Sequence, residues 1–407
     1  MLNKKIFTNI LDNFIHPRHE LLDMSSLTIE DVDEMLEVAA EHFVFPIIYE
    51  GLRKTDAFLS LPAEQQKLNK TRIKKLVIGQ THRTSLFLML YKDLLTLGIP
   101  MLVVKGVVCR NMYQNPDYRA SCDEDVLVKR EDFTVLDEAL QLRGFTRNEK
   151  VNPKKDHEVT FYHMGTGLHI EVHLSLFPED SGAYGRLNQE FEDIFDRYTK
   201  ELICGVEVET LDPTQHMLYL LCHGLKHFLH SGFGVRQLCD MILFAETYGD
   251  RINWSEVVRS TKRQSMYTFW MNLFDIGERY LGFSWEKAGL TKPDDVVFDS
   301  EPMLQDLFDS GIYGKKGEDR VHSANITLQA ARSGRKKVSL RRSLFPDCAY
   351  MALTYTYLEK HKWLLPFAWI QRIFNYMKKR NAKEAMEVVN IGKTRTELLK
   401  KYEVIDQ

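Results

Sequence analysis

Asp123-Glu124-Asp125-Val126-Leu127-Val128 is the stretch on which the reading of this chain turns, because carboxylates are poor strand formers and yet here they open an apolar run with the length of a buried strand. Side chains at i and i+2 of a strand share a face roughly 7 Å apart. Asp123 and Asp125 would therefore repel by about 2.5 kcal/mol at an effective dielectric near ~20. A divalent cation between them removes that cost. A third carboxylate stands in similar surroundings, in Leu168-His169-Ile170-Glu171-Val172-His173-Leu174, where the alternation is strict. Leu168, Ile170, Val172 and Leu174 take one face of the predicted strand, and His169, Glu171 and His173 take the other.

Working upstream, Met101-Leu102-Val103-Val104 reads as a second short buried strand, and Lys105-Gly106 leads from it into a short helix that Asn115-Pro116 stops. Before it, a helix is predicted from about Thr71 to Leu97, ending at Gly98-Ile99-Pro100. Another is predicted from Ser26 to His42, with Leu27, Val32, Met35, Leu36, Ala39 and Phe43 at helical spacing. Downstream, Glu131 to Arg143 has helical periodicity closed by Gly144, and residues 158–163 and 168–174 form a hairpin around Met164-Gly165-Thr166-Gly167. Asp212-Pro213-Thr214-Gln215 starts a further helix, with Asp212 as N-cap, Pro213 at the first position and Gln215 placed to complete a capping box. The expected fold class is α+β: a small mixed sheet at 96–205, embedded between an N-terminal helical region at 1–95 and a C-terminal helical domain at 206–407.

With 407 residues the chain has material for two or three cores. Hydrophobic residues make up 44% and charged residues 27%, which argues against extended disorder. A net charge of −3 supplies no global field toward nucleic acid or anionic lipid, so any phosphate binding must be local and a nucleic-acid partner is not expected. Six cysteines without a CxxC pair predict reduced thiols in a cytoplasmic protein, with no disulfide and no structural zinc. No apolar run is long enough to span a membrane, and no leader is recognised. Oligomeric state is not specified by any pattern in the chain.

Two aspartates on one strand face, with Glu171 on a neighbouring strand, form a cluster able to hold two Mg²⁺ (or Mn²⁺) ions about 4 Å apart, the arrangement suited to phosphoryl or nucleotidyl transfer. Glu171 is also a candidate acceptor of the nucleophile's proton. The Lys105-Gly106 turn offers a phosphate seat, since glycine admits a close approach, helix N–H groups point at the anion and Lys105 supplies charge. Arg119 is a second phosphate candidate, with a salt bridge to a nearby carboxylate as its structural alternative. Glu171 turned away from Asp123 and Asp125, or a basic side chain plugging the space between them, would overturn the enzyme assignment.

The run Ile99-Pro100-Met101-Leu102-Val103-Val104-Lys105-Gly106, followed by Tyr113, Pro116, Arg119, Asp123-Glu124-Asp125 and later Glu171-Val172-His173, resembles an uncharacterised bacterial nucleotidyltransferase family within the DNA polymerase β superfamily. The resemblance extends to His223, Arg236 and Asp240, to Leu344-Phe345-Pro346, and to Leu365-Pro366 with Arg372. It implies a polymerase β-like nucleotidyltransferase sheet with Asp123, Asp125 and Glu171 as catalytic metal carboxylates. It further implies NTP as substrate, with Lys105, Gly106, Arg119, His173 and His223 around it, and an unidentified acceptor. Glu124 stands where that family has an apolar residue, and Val107 follows Gly106 where the wider superfamily has Ser or Gly.

His216, His223, His227 and His230 lie along one helix face. The spacing of His223 and His227 suits a metal pair, but Gly224-Leu225-Lys226 lacks the glutamate of a His-Glu-x-x-His site, so cleft lining or packing is the preferred reading. Arg236 and Asp240, at i and i+4, would make a helix salt bridge. Arg332, Arg335, Lys336, Lys337, Arg341 and Arg342 are read as a solvated loop. Trp363, Leu364, Leu365, Phe367, Trp369 and Ile370, followed by Lys378, Lys379 and Arg380, are read as packing on the helical core, with an interfacial membrane helix as the alternative.

Overall fold

The computed structural model describes residues 2–17, 22–230, 232–310, 327–328, 331, 348–352, 355–371 and 382–405. The basic run from Arg332 to Arg342, Leu344-Phe345-Pro346, Arg372 and Lys378-Lys379-Arg380 lie outside these residues. Helices α1 (Lys4–Ile15), α2 (Ile29–Glu41), α3 (Phe45–Leu52), α4 (Asp56–Leu59) and α5 (Ala63–Leu94) open the chain. Helix α2 falls where its periodicity predicts. Thr28 and Asp31 close a capping box at its start, the Thr28 hydroxyl accepting from the Asp31 N–H and the Asp31 carboxylate from the Thr28 N–H. Helix α5 begins earlier than the expected Thr71, directly after Pro62, and its last turn ends at Gly98, whose φ of +68° favours a residue without a Cβ.

Strand β1 (Met101–Val104), helix α6 (Gly106–Asn111), strand β2 (Glu124–Val128), helix α7 (Phe133–Leu142) and strands β3 (Phe145–Arg147), β4 (Glu158–His163) and β5 (Leu168–His173) follow. Strands β6 (Tyr198–Ile203) and β7 (Val206–Leu211) complete a mixed sheet in the order β3-β4-β5-β2-β1-β7-β6. The β2–β5 and β1–β7 pairs are parallel and the others antiparallel. The β6–β7 hairpin carries the sheet past residue 205. Its turn is Cys204-Gly205, both at positive φ (47° and 77°), and it lacks the Asn-Gly or Asp-Gly signature by which such turns are recognised.

Helices α8 (Pro213–Leu229), α9 (Val235–Tyr248), α10 (Trp254–Arg263), α11 (Tyr267–Leu281) and α12 (Glu301–Ser310) form the helical half. Asp212 caps α8, its carboxylate accepting from the N–H groups of Thr214 and Gln215, with Pro213 at the first position. The fold is α+β, with helices flanking the sheet.

The sheet is buried on both faces, by two different cores. Met101, Val103, Val126, Val128, Ile170 and Val172 face the end of α5 and helix α7, through Phe87, Leu88, Leu94, Leu136 and Leu140. Leu102, Val104, Leu127 and Leu211 join the larger core, which gathers α1, α2 and α3 with α8, α9 and α11. Strand alternation therefore aims Glu171 and His173 toward the helical half. The segment from Trp363 to Ile370 departs from expectation. Leu364, Leu365 and Trp369 pack in a separate small cluster with Met351, Leu358 and Ala368, while Trp363, Phe367 and Ile370 are exposed. Pro366 does not interrupt this helix because it falls in its first turn, where no N–H is required. Among the described residues, no helix is long and apolar enough to cross a membrane.

Candidate active site

A cleft of ≈ 250 Å³ lies between the sheet and helices α8 and α9, and it is lined by the expected metal and nucleotide ligands Lys105, Gly106, Arg119, Asp123, Asp125, Glu171, His173 and His223. Register brings the acids together. Asp125 is the cross-strand partner of Glu171 in the parallel β2–β5 pair, and His173 opposes Glu158 across the β4–β5 hairpin. One ligand atom from each of Asp125, Glu171 and His173 lies within 4.8 Å of the others. His173 Nε2 is 3.0 Å from Asp125 Oδ1 and 3.9 Å from Glu171 Oε2. Asp123 borders the same cleft from the residue before β2, rather than from within the strand. Carboxylates from two strands with an imidazole beside them suit a hard or borderline divalent cation.

Lys105 occupies a different place from the one expected. Its Nζ is 3.1 Å from Asp125 Oδ1 and 3.0 Å from His223 Nε2, so the ammonium neutralises the acid cluster rather than standing free for phosphate. The backbone holds it there: Lys105 has φ +50°, a strained conformation for a residue with a side chain, and its N–H donates to His216 Nε2 at 3.2 Å. Burial and the Lys105 charge hold His216 neutral, down at about 3, and drive His223 well below the ordinary histidine range. Each ring thus keeps a lone pair for lysine. Burial acts against ionisation of Asp125, but Lys105 and His173 outweigh it and hold its carboxyl well below the usual carboxylate range. Glu171 goes the other way, raised by burial and then by the charges of Asp125, Asp123 and Glu158.

The glycine turn is closed by Glu124. Its Oε2 accepts the Val107 N–H at 2.9 Å, and a Cβ on Gly106 would lie 2.4 Å from the same oxygen. Gly106 is therefore required by the carboxylate packed against it, and the first helical N–H beyond it is already taken. Glu124 Oε1 in turn pairs with Arg110 Nη2 at 2.6 Å in full burial, which explains a third acid between the two aspartates.

Arg119 realises its structural alternative. Its Nε and Nη2 bind the two oxygens of Asp240, each at 2.7 Å, and the Tyr113 hydroxyl donates to Asp240 Oδ1 at 2.8 Å. Asp240 is thus spoken for across the cleft rather than along α9. Arg236 reaches instead to the carbonyl of Ala120 and lies over the Phe43 ring. His223 and His227 line the cleft, their Nε2 atoms 3.2 Å apart, whereas His216 supports Lys105 from behind and His230 bonds the Tyr184 hydroxyl at 2.5 Å. Glu158 and Lys226 also line the cleft, beyond the expected ligands. Glu158 was recoverable by counting the hairpin back from His173, and Lys226 by taking i+3 from His223 on the helix face.

The fold and site define a class in which strand-borne carboxylates face a helical wall across a polar cleft. Residues 29–282, more than half of the chain, match the family described as uncharacterised nucleotidyltransferase, and the chain belongs to that family. Among solved structures, it is similar to an antigenic nucleotidyltransferase-like protein from Paracoccidioides brasiliensis, at 13% identity and a TM-score of 0.33, over 53% of this chain and 96% of that one. No curated protein matches.

Proposed function

We propose that this chain is a metal-dependent nucleotidyltransferase of polymerase β type that moves a nucleoside monophosphate from an NTP to a hydroxyl of a small molecule or a protein. The observation that carries this reading is the convergence of Asp125, Glu171 and His173, from two strands, on one cleft. Asp125, Glu171 and Asp123 would hold Mg²⁺ or Mn²⁺, which supplies activation of the acceptor hydroxyl and neutralises the departing pyrophosphate. The acceptor oxygen bonds to the α-phosphorus as the bond to the bridging oxygen breaks, and pyrophosphate leaves with that electron pair. Glu171, the cross-strand neighbour of Asp125, would take the acceptor's proton. His173 steadies Asp125 by its 3.0 Å contact. A cytoplasmic setting and a partner that is not nucleic acid accord with the charge balance and the cysteine pattern.

A second reading, a catalytically silent nucleotide-binding or interaction module, is favoured by one observation: the Lys105 ammonium on Asp125. Calorimetric titration with Mn²⁺, then with each NTP, separates the two. An enzyme should bind Mn²⁺ and then NTP, lose both in the Asp123→Asn, Asp125→Asn double variant, and release pyrophosphate when an acceptor is present. If the wild-type chain binds NTP no better with Mn²⁺ than without it, the transfer reading fails and the module reading stands.

A further inference from the structure

With the ion pairs inside the cleft set aside, its remaining charges separate onto two walls. Arg119 is held by Asp240 and Lys105 by Asp125. Asp123 and Glu171 are left on the sheet side without a lysine or arginine partner among the described residues. Lys226 of α8 and Arg236 of α9 are left on the helical side, again without an ion pair there. The two cations flank the acids, Lys226 feeling the charges of Glu158 and Glu171, and Arg236 those of Asp240 and Asp123. Of the buried guanidinium nitrogens that have no acceptor among the described residues, two belong to arginines of the cleft: Nε of Arg236 and Nη1 of Arg119. Buried donors are rarely left unmatched, because each forfeits its hydration. Burial also lowers the proton affinity of Lys226, the mark of a cation whose neighbours do not fully balance it.

The turn expected to seat phosphate cannot do so as it stands, since Glu124 takes the Val107 N–H and fills the space over Gly106, and the Lys105 ammonium is bound to Asp125. We infer that the anionic tail of a triphosphate is seated by the α8–α9 wall, through Lys226 and Arg236 with Arg119 behind them, and not by the glycine turn. The metal-binding acids and the phosphate-binding cations would then come from opposite halves of the molecule. This rests on the transfer reading for the identity of the ligand, but its test does not require transfer.

Inorganic tripolyphosphate, titrated calorimetrically into the full chain in metal-free buffer, probes the wall alone. Wild type should bind it. Lys226→Gln and Arg236→Gln should each weaken binding by about tenfold or more, as expected for loss of a charge-assisted contact. Lys226→Arg and Arg236→Lys keep the charge and should retain most of the affinity, which separates loss of the seat from damage to the Arg236–Ala120 bond. Absence of binding by wild type, or equal binding by a well-folded Lys226→Gln, Arg236→Gln double variant, would overturn the inference. The titration contains neither metal nor nucleoside, so its failure leaves Mn²⁺ binding by the carboxylates to be judged separately. Conversely, loss of the transfer reading would leave an intact tripolyphosphate site.

Discussion

Glu124 shows how one side chain can look catalytic by position and be structural by contact. It stands between two aspartates, but the strand turns it to the opposite face, where Arg110 and the Val107 N–H take both of its oxygens in full burial. Removing its charge leaves Arg110 buried and uncompensated, a loss of about 3–5 kcal/mol. Glu124→Gln should therefore lower the urea midpoint strongly with little change in slope. An unchanged midpoint would mean that Arg110 finds another partner. Asp125, one position on, is the converse: its carboxylate faces the cleft. Alternation alone distinguishes the two faces, but it does not say that Lys105 would spend its charge on Asp125, because that contact joins β2 to the turn after β1, where the backbone is strained.

Elements are tied together by polar links as well as by core packing, and α1 is the clearest case. His16, just past the end of α1, places Nδ1 3.0 Å from Asp12 Oδ1 and Nε2 2.9 Å from Glu246 Oε2, joining α1 to α9. Burial disfavours the imidazolium, but hydrogen bonds and charge from Asp12 and Glu246 outweigh it and raise His16 to about 9. A folded value above the unfolded one means stabilisation that is complete below about pH 6.5 and disappears as pH rises through about 9. Each unit of difference corresponds to about 1.4 kcal/mol. Melting temperature should accordingly fall between pH 6.5 and 9 in the wild type, and His16→Gln should flatten that part of the profile. A slope that survives the substitution would assign it to another group.

At the scale of the whole molecule, the helices before the sheet and those after it share one core. Phe7 is fully buried, makes an edge-to-face contact with Phe308 at 5.5 Å, and belongs to the same cluster as Phe269, Phe274 and Ile276 of α11. Phe7→Ala should cost about 3–5 kcal/mol. Hydrogen exchange should quicken in α11 as well as in α1, although the two are far apart in sequence. Quickening confined to α1 would show that the two ends of the chain unfold independently. The cleft depends on this arrangement, because α8 and α9 are held over the acid face of the sheet by the same core.

What the sequence determined by itself is what alternation and punctuation can express. The β4–β5 hairpin, the acid face of β5, the capped start of α8 and the stop at Gly98 all follow from spacing and local backbone chemistry within one element. Tertiary structure alone decided which charge neutralises which. Lys105 with Asp125, Arg119 with Asp240 and Arg110 with Glu124 are pairings made through space, and they leave Lys226 and Arg236 lining the cleft without an ion pair among the described residues. The reason is physical: periodicity is a property of neighbours along the chain, whereas Coulomb energy and desolvation depend on distances and burial that exist only once the chain has folded.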